Sequence, residues 1–276
     1  MESMNKVGLV CCSNGQKLEY KGDIDKLVGV LEDNGHEVIV GEYIYERDGI
    51  SSGKPEERAC QLMGYFSDEN VAEIFDISGG DIANEILPYL DYDKIRESNV
   101  RLWGYSDLTT VINALYSMTG KESVLYQVKN LVWDNSGLQI RRFFDNDIYE
   151  FDYCFCQGKA MNGVVVGGNI RCLLKLAGTK YFPDMNGKIL FLEALSGGEP
   201  QLRTYFAQLY AMGVLEAVNG ILLGTFTEYQ KENDVDALMD IVKDYVDVRM
   251  PIVKTEEIGH GKLSKALIIG KEYSFG

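Results

Sequence analysis

Basic residues are scarce in this chain: 27 lysines and arginines stand against 42 aspartates and glutamates, for a net charge of −15. Nucleic-acid backbones are held by clustered Lys and Arg, and the longest basic cluster is Arg141-Arg142. A nucleic-acid polymer is therefore excluded as a partner. Nor does any stretch approach the roughly 20 apolar residues that a membrane span requires. The opening run Val7-Gly8-Leu9-Val10-Cys11-Cys12 is shorter than a secretory apolar region and reads as a buried first strand. No membrane partner and a cytoplasmic location are the expectations. There is no Cys-x-x-Cys pair, and His260 is far in sequence from every cysteine, so no metal site is expected. Cys11-Cys12 are adjacent and Cys154-x-Cys156 are too close for a relaxed bridge. Buried free thiols are expected for all six cysteines.

Histidine is scarcer still, with two in the chain. His36 follows Gly35 between a helical pattern and an apolar β-branched run, where a solvated linker residue is expected. His260 sits in Ile258-Gly259-His260-Gly261-Lys262, between glycines that let the backbone bend and a partner approach. If a histidine acts as a base here, His260 is the candidate.

What is present is ordinary for a soluble globular protein: 276 residues, 46% apolar and 25% charged, enough for one large or two modest domains. Strand-like runs at 6–11, 37–41, 71–77 and 100–105 alternate with helical patterns at 22–34, 54–67, 82–89 and 107–118. That rhythm predicts a mostly parallel α/β sheet. After a weaker stretch from about 136 to 163, a second set follows: helices at 170–177, 200–212 and 235–245, and strands at 188–192, 220–224, near 252 and at 266–269. Two α/β domains are expected, over 1–140 and 164–276, with a crossover over 141–163.

Parallel sheets present ligands at the carboxyl ends of their strands, and three candidates fall there. Ser106 lies in Trp103-Gly104-Tyr105-Ser106-Asp107, where a strand runs directly into a helix. Backbone N–H groups at such a turn are unpaired, the geometry of a nucleophile elbow. Equally, Ser106 or Asp107 could simply cap the helix. Ser78-Gly79-Gly80-Asp81 follows the preceding strand, either as an anion-facing loop or as a plain turn. Glu193 follows Ile189-Leu190-Phe191-Leu192, either to orient an imidazole or as a solvated strand end. Serine, acid and histidine in that chain order are one known solution of triad geometry.

Several motifs resemble the LD-carboxypeptidases, the serine peptidase family that also holds the microcin C self-immunity hydrolases. They are Ile74-Phe75-Asp76-Ile77-Ser78-Gly79-Gly80 with Leu87-Pro88-Tyr89-Leu90-Asp91-Tyr92-Asp93, Gly104-Tyr105-Ser106-Asp107, and Gly167-Gly168-Asn169. Gly178-Thr179, Gly187 through Glu193, Gly220 through Phe226 and Gly259-His260-Gly261 continue the series in order along nearly the whole chain. The resemblance implies a flavodoxin-like N-terminal domain and a smaller β-rich α/β domain, with the site in the cleft between them. It implies Ser106 as nucleophile, His260 as general base and then acid, and Glu193 as the partner that orients it. The oxyanion would be held by the amide of Asp107 and one from Gly79 or Gly80. No metal or organic cofactor and a homodimer are implied.

The chain also departs from the family pattern. Ser78 and Asp81 flank the paired glycines where peptidoglycan-recycling members commonly carry arginine and tyrosine. Tyr126-Gln127-Val128-Lys129 replaces a His-Gly-Pro or Tyr-Gly-Pro element, and Cys11-Cys12 an Ala-Pro. These positions lie near the expected substrate cleft. The leading reading is cleavage of the L,D-amide to the terminal D-alanine of a murein tetrapeptide. The alternative is hydrolysis of a peptidyl- or aminoacyl-nucleotide amide, and a different class is a ligand-binding module without turnover on the same fold.

Overall fold

The computed structural model describes residues 5–47 and 49–276. The first part runs β1 (Asn5–Val10), α1 (Lys21–Asp33), β2 (His36–Val40), α2 (Pro55–Phe66), β3 (Val71–Asp76) and α3 (Tyr92–Glu97). It continues with β4 (Arg101–Gly104), α4 (Thr109–Thr119), β5 (Ser123–Leu125), α5 (Asn130–Trp133) and α6 (Leu138–Phe144). The second part holds β6 (Cys154–Gln157), β7 (Met161–Asn169), α7 (Ile170–Leu174), β8 (Ile189–Ala194), α8 (Glu199–Ala211) and α9 (Val214–Ala217). After it come β9 (Gly220–Phe226), α10 (Val235–Lys243), β10 (Ile252–Lys254), β11 (Leu267–Ile269) and β12 (Glu272–Phe275). The predicted elements fall within a few residues of these bounds. The 82–89 pattern is a 3-10 helix rather than an α-helix, because Pro88 within it cannot donate to an α-helical ladder. Among the described residues no helix is long and apolar enough to cross a membrane.

The first sheet is ordered β11-β5-β4-β3-β1-β2, its five N-terminal strands parallel and β11 antiparallel to β5. The parallel order β2-β1-β3-β4-β5 is that of flavodoxin-like sheets, whose ligands sit where the order reverses, between β1 and β3. The second sheet is ordered β12-β7-β8-β9-β10-β6, four parallel strands with an antiparallel strand at each edge. β8 is buried along its whole length and β9 nearly so. This is why both read as unbroken apolar runs rather than alternations: helices cover both faces.

Helix α4 locks the two sheets together. Every residue from Thr109 to Leu115 is buried, the signature of a helix enclosed on all sides. One continuous apolar cluster joins its Val111, Ile112 and Leu115 to Val165 and Phe191 of the second sheet and to Ile258 of the loop after β10. Asn113 donates to the Gly167 carbonyl at 2.8 Å and accepts from the Gly167 N–H at 2.8 Å, while the Asn169 N–H donates to Thr109 Oγ1 at 3.0 Å. The head of α4 is thereby fixed against the end of β7. The late strand expected at 266–269 crosses back to close the first sheet, Leu267 opposite Leu125. The 141–163 stretch carries the end of α6 and all of β6, and Phe143 packs on Trp103 and Phe75 of the first sheet at 5.2 and 6.0 Å.

Two expectations need correction. His36 is not a solvated turn residue but the first residue of β2, half-buried, its ring 5.9 Å from that of Phe144. The aromatic end of α6 covers the sheet there. Of the six free cysteines, Cys11, Cys12 and Cys172 are buried, but Cys60 and Cys154 are exposed and Cys156 is only half-covered. Cys60 faces outward from α2, and the other two lie on the edge strand β6.

Candidate active site

The carboxyl ends of β1, β3 and β4 are brought level by register, Val10 opposite Asp76 and Phe75 opposite Trp103. Their following loops meet above the sheet. Ser106 occupies the turn between β4 and α4 with φ 55°, one of two non-glycine residues at positive φ among the described residues. A left-handed serine costs about 1 kcal/mol or more and persists only where its surroundings impose it. Here Gly104 before it and the buried head of α4 after it do so, and the side chain is thrust toward the second domain.

Glu193 comes from β8, opposite Asn169 of β7 in parallel register. Its carboxylate is fully buried. Oε1 accepts from Asn169 Nδ2 at 3.0 Å, and Asn169 Oδ1 in turn accepts from the Cys172 N–H at 3.3 Å. His260 Nδ1 lies 2.6 Å from Glu193 Oε2, and its Nε2 lies 3.2 Å from Ser106 Oγ. A carboxylate only accepts, so the ring proton belongs on Nδ1 and the Nε2 lone pair faces the serine hydroxyl. The three residues that the sequence singled out at 106, 193 and 260 thus form one hydrogen-bonded chain.

The His260 loop is held from both sides. Thr225 N–H donates to the Ile258 carbonyl at 2.9 Å, and Gly259 N–H donates to Ser264 Oγ at 3.0 Å. A Cβ on residue 259 would stand 1.6 Å from Thr225 Oγ1, so this position must be glycine, whereas one on residue 261 meets nothing within 4 Å. The Tyr105 ring packs edge-on against the imidazole, centroids 4.8 Å apart. Burial, together with the nearby Glu193 charge, pushes the Tyr105 phenol well above its ordinary range.

Gly79 and Gly80 line the same cavity as Ser106 and His260, a space of about 230 Å³. The N–H groups of Gly79, Gly80 and Asp107 find no protein acceptor among the described residues. They are free to hold an anion. Gly80 has φ +121°, and a Cβ there would strike the Asn14 carboxamide at 2.1 Å, so the loop can lie this close to β1 only without a side chain. Ser78 turns inward: its Oγ donates to the buried Asp76 at 2.5 Å and accepts from Ser13 N–H at 3.0 Å. Desolvation raises the Asp76 pKa.

Other contributors were not legible in the sequence. The Asp107 side chain is fully buried and accepts from Ser13 Oγ at 2.7 Å, Ala83 N–H at 2.8 Å and Lys175 Nζ at 2.5 Å. Lys175 also reaches Asp81 at 3.3 Å, and Asp81 pairs with Arg171. The arginine contact above all holds the Asp81 carboxyl below its usual range. Buried Arg58 gathers the loops around the cleft, donating to the carbonyls of Cys12 at 2.6 Å, Gly53 at 3.2 Å and Ile82 at 3.3 Å, and to Glu85 at 2.5 Å. A separate depression of about 770 Å³, bordered by Tyr210, Asp244 and Met250, includes none of the residues described above.

Residues 7–126 match the LD-carboxypeptidase N-terminal domain and residues 162–275 the LD-carboxypeptidase C-terminal domain. The chain is 26% identical over 256 residues to the microcin C7 self-immunity protein MccF of Escherichia coli, covering 79% of this chain and 74% of that protein. It is 23% identical over 263 residues to the murein tetrapeptide carboxypeptidase of Pseudomonas aeruginosa, covering 87% of this chain and 84% of that one. The solved structure of MccF in complex with glutamyl sulfamoyl guanosine superimposes with a TM-score of 0.87 at 19% identity, over 99% of this chain and 93% of that one.

Proposed function

This chain belongs to the LD-carboxypeptidase family, and from that premise we propose that it is a serine amide hydrolase with a Ser106–His260–Glu193 triad. Its substrate in this reading is the L,D-amide to the C-terminal D-alanine of a murein tetrapeptide, as in cell-wall recycling. The observation that carries the reading is the unbroken contact chain from Ser106 Oγ to His260 Nε2 at 3.2 Å and from Nδ1 to Glu193 at 2.6 Å. Ser106 Oγ attacks the amide carbonyl carbon while His260 Nε2 takes its proton. Glu193 stabilises the imidazolium that results. The N–H of Asp107 and one from Gly79 or Gly80 donate to the oxyanion of the tetrahedral intermediate. As it collapses, His260 returns the proton to the leaving amine, and water then cleaves the Ser106 ester by the same route in reverse.

A second reading, hydrolysis of a peptidyl- or aminoacyl-nucleotide amide, draws support from the MccF likeness, since that protein is bound to glutamyl sulfamoyl guanosine. The murein reading is favoured by the carboxypeptidase relatives. The same proposal extends to a homodimer in the cytoplasm. It also divides the chain into a nucleophile-bearing part over 1–140, a crossover over 141–163 and a part over 164–276 that carries the acid and histidine. Mass spectrometry of products after incubation with murein tetrapeptides and with aminoacyl-nucleotide amides tests the substrate. Release of D-alanine supports the first reading; release of free nucleotide amine alone transfers the assignment to the second.

A further inference from the structure

The cleft holds one cation that the proposed chemistry does not use. Lys129 is the single lysine or arginine among the residues lining the Ser106 cavity, where it stands with Trp133 of α5 and Leu195 of the second domain. It follows β5 at the carboxyl edge of the first sheet, where parallel sheets bind ligands. Its Nζ donates to Gln16 Oε1 at 3.0 Å, and Gln16 is fixed by its own donation to the Ile77 carbonyl at 2.9 Å. The Trp133 ring lies 4.9 Å from the same nitrogen. Lys129 is thus held by a neutral amide and an aromatic face, and among the described residues no carboxylate pairs with it. Asp76 and Asp23 are near enough to act on it through space, but the first is occupied by Cys12 and Ser78 N–H groups.

An ammonium carries three donors, and one goes to Gln16. In a chain of net charge −15, a half-buried cation without an acidic partner is unusual, because burying charge without compensation is unfavourable. A ligand anion supplies that compensation. The large apolar side chains of the cavity are Trp133 and the exposed Leu195, 45% accessible, and its other lining near Lys129 in sequence is the neutral amides Gln127 and Asn130. The pocket therefore has the pattern of a carboxylate-capturing site with a small apolar rim. Ser78 cannot share the task, since its hydroxyl is spent on Asp76. A neighbouring space of about 300 Å³ continues past Lys129 and Trp133 toward Tyr20, Asp23 and Ile24, leaving room for the rest of a peptide; Asp23 makes no ion pair with Lys129 among the described residues.

We infer that Lys129 is the specificity-determining cation of this cleft and binds a free carboxylate of the substrate alongside Ser106. The inference rests on the amide-hydrolase reading for the identity of its ligand, but its test does not require turnover. The Ser106→Ala protein retains the cleft and removes the nucleophile. Titration calorimetry of that protein compares N-acetyl-L-lysyl-D-alanine with the same dipeptide ending in a carboxamide. The free acid is expected to bind about 10–100-fold more tightly, the range of a charge-assisted hydrogen bond. Lys129→Met in the same background erases the preference, and Lys129→Arg restores part of it. Lys129→Gln, which keeps a donor and a polar chain, checks the result should the Met variant lose its cooperative unfolding. Equal binding of acid and amide, binding of neither, or a preference that survives both neutral substitutions overturns the inference. Lys129-dependent binding of adenosine monophosphate without any preference for the dipeptide acid overturns it as well, in favour of phosphate. If the intact protein cleaves murein peptides while the Ser106→Ala protein with Lys129 intact shows no carboxylate preference, this inference alone fails. If the preference depends on Lys129 while no amide is cleaved, the hydrolase reading fails and this one stands.

Discussion

Asp107 to Asn changes one oxygen to an amide and leaves the side chain's shape intact, so its effect isolates a charge. The carboxylate is fully buried, with Oδ2 accepting from Ser13 and the Ala83 N–H and Oδ1 accepting from Lys175 at 2.5 Å. In the variant the remaining carbonyl oxygen can serve Ser13 and Ala83, but the new NH₂ then points at the Lys175 ammonium, donor against donor. Breaking a buried pair by removing one partner costs about 3–5 kcal/mol. Lys175 is 19% exposed and keeps Asp81 at 3.3 Å, which brings the expectation down to roughly 2–3 kcal/mol for a partly solvated partner. For a chain of this size that corresponds to a fall in Tm of about 4–12 °C. Urea denaturation of Asp107→Asn, Lys175→Met and the double variant measures it. Removing the stranded cation relieves the clash, so the double variant should lie well short of the sum of the two losses. A single-variant loss below about 0.5 kcal/mol, or strict additivity, would refute a paired buried charge at this position.

Glu193→Gln keeps the contact with His260 but removes the charge that stabilises an imidazolium, so kcat should fall by about 10³–10⁴ with little change in KM; Asp81→Asn, at the solvated rim, should cost less than tenfold, and the reverse ranking would contradict the assignment of the acid. Gly259→Ala forces a Cβ against Thr225 and should reduce activity at least tenfold by displacing His260, while Gly261→Ala, in open space, should leave kcat within twofold; steady-state rates of the two decide. Burial holds the His36 imidazole below its ordinary 6.5, so between the two values the unfolded chain binds the proton that the folded one refuses, and stability is lost as pH falls below about 6.5. The Tm of His36→Gln relative to the parent should therefore rise from pH 7.5 to 5, and a constant difference would show that His36 does not titrate on unfolding.

Local pattern made the framework readable. The strands over 71–77 and 100–105 show as apolar runs closed by Ser78-Gly79-Gly80 and by Tyr105-Ser106, and Glu193 stands directly after the apolar run of β8. What sequence could not carry was pairing at a distance. Asp107 meets Lys175 across 68 residues and Ser13 across 94, and nothing in its neighbourhood distinguishes a buried carboxylate from a helix cap. Arg58 reads as the polar side of an amphipathic helix, yet its side chain is fully buried among carbonyls of three loops. β5 has three residues, too few for a period to register, and the return of β11 to the first sheet is a matter of topology rather than of its own composition. His36 misled because edge strand and turn share the same local signals, and the aromatic cover comes from α6, over a hundred residues later.

Covalent labelling by a fluorophosphonate, followed by peptide mapping, tests directly whether Ser106 is an activated nucleophile. An activated serine reacts with such a probe, and an ordinary helix-capping hydroxyl does not. One labelled site is expected, Ser106, with labelling abolished in His260→Asn and with turnover lowered about 10³–10⁶-fold in Ser106→Ala at nearly unchanged Tm. An unlabelled Ser106 in a folded protein, or a Ser106→Ala variant that loses about 1 kcal/mol of stability yet keeps its activity, would contradict it and leave a binding module or another nucleophile in its place.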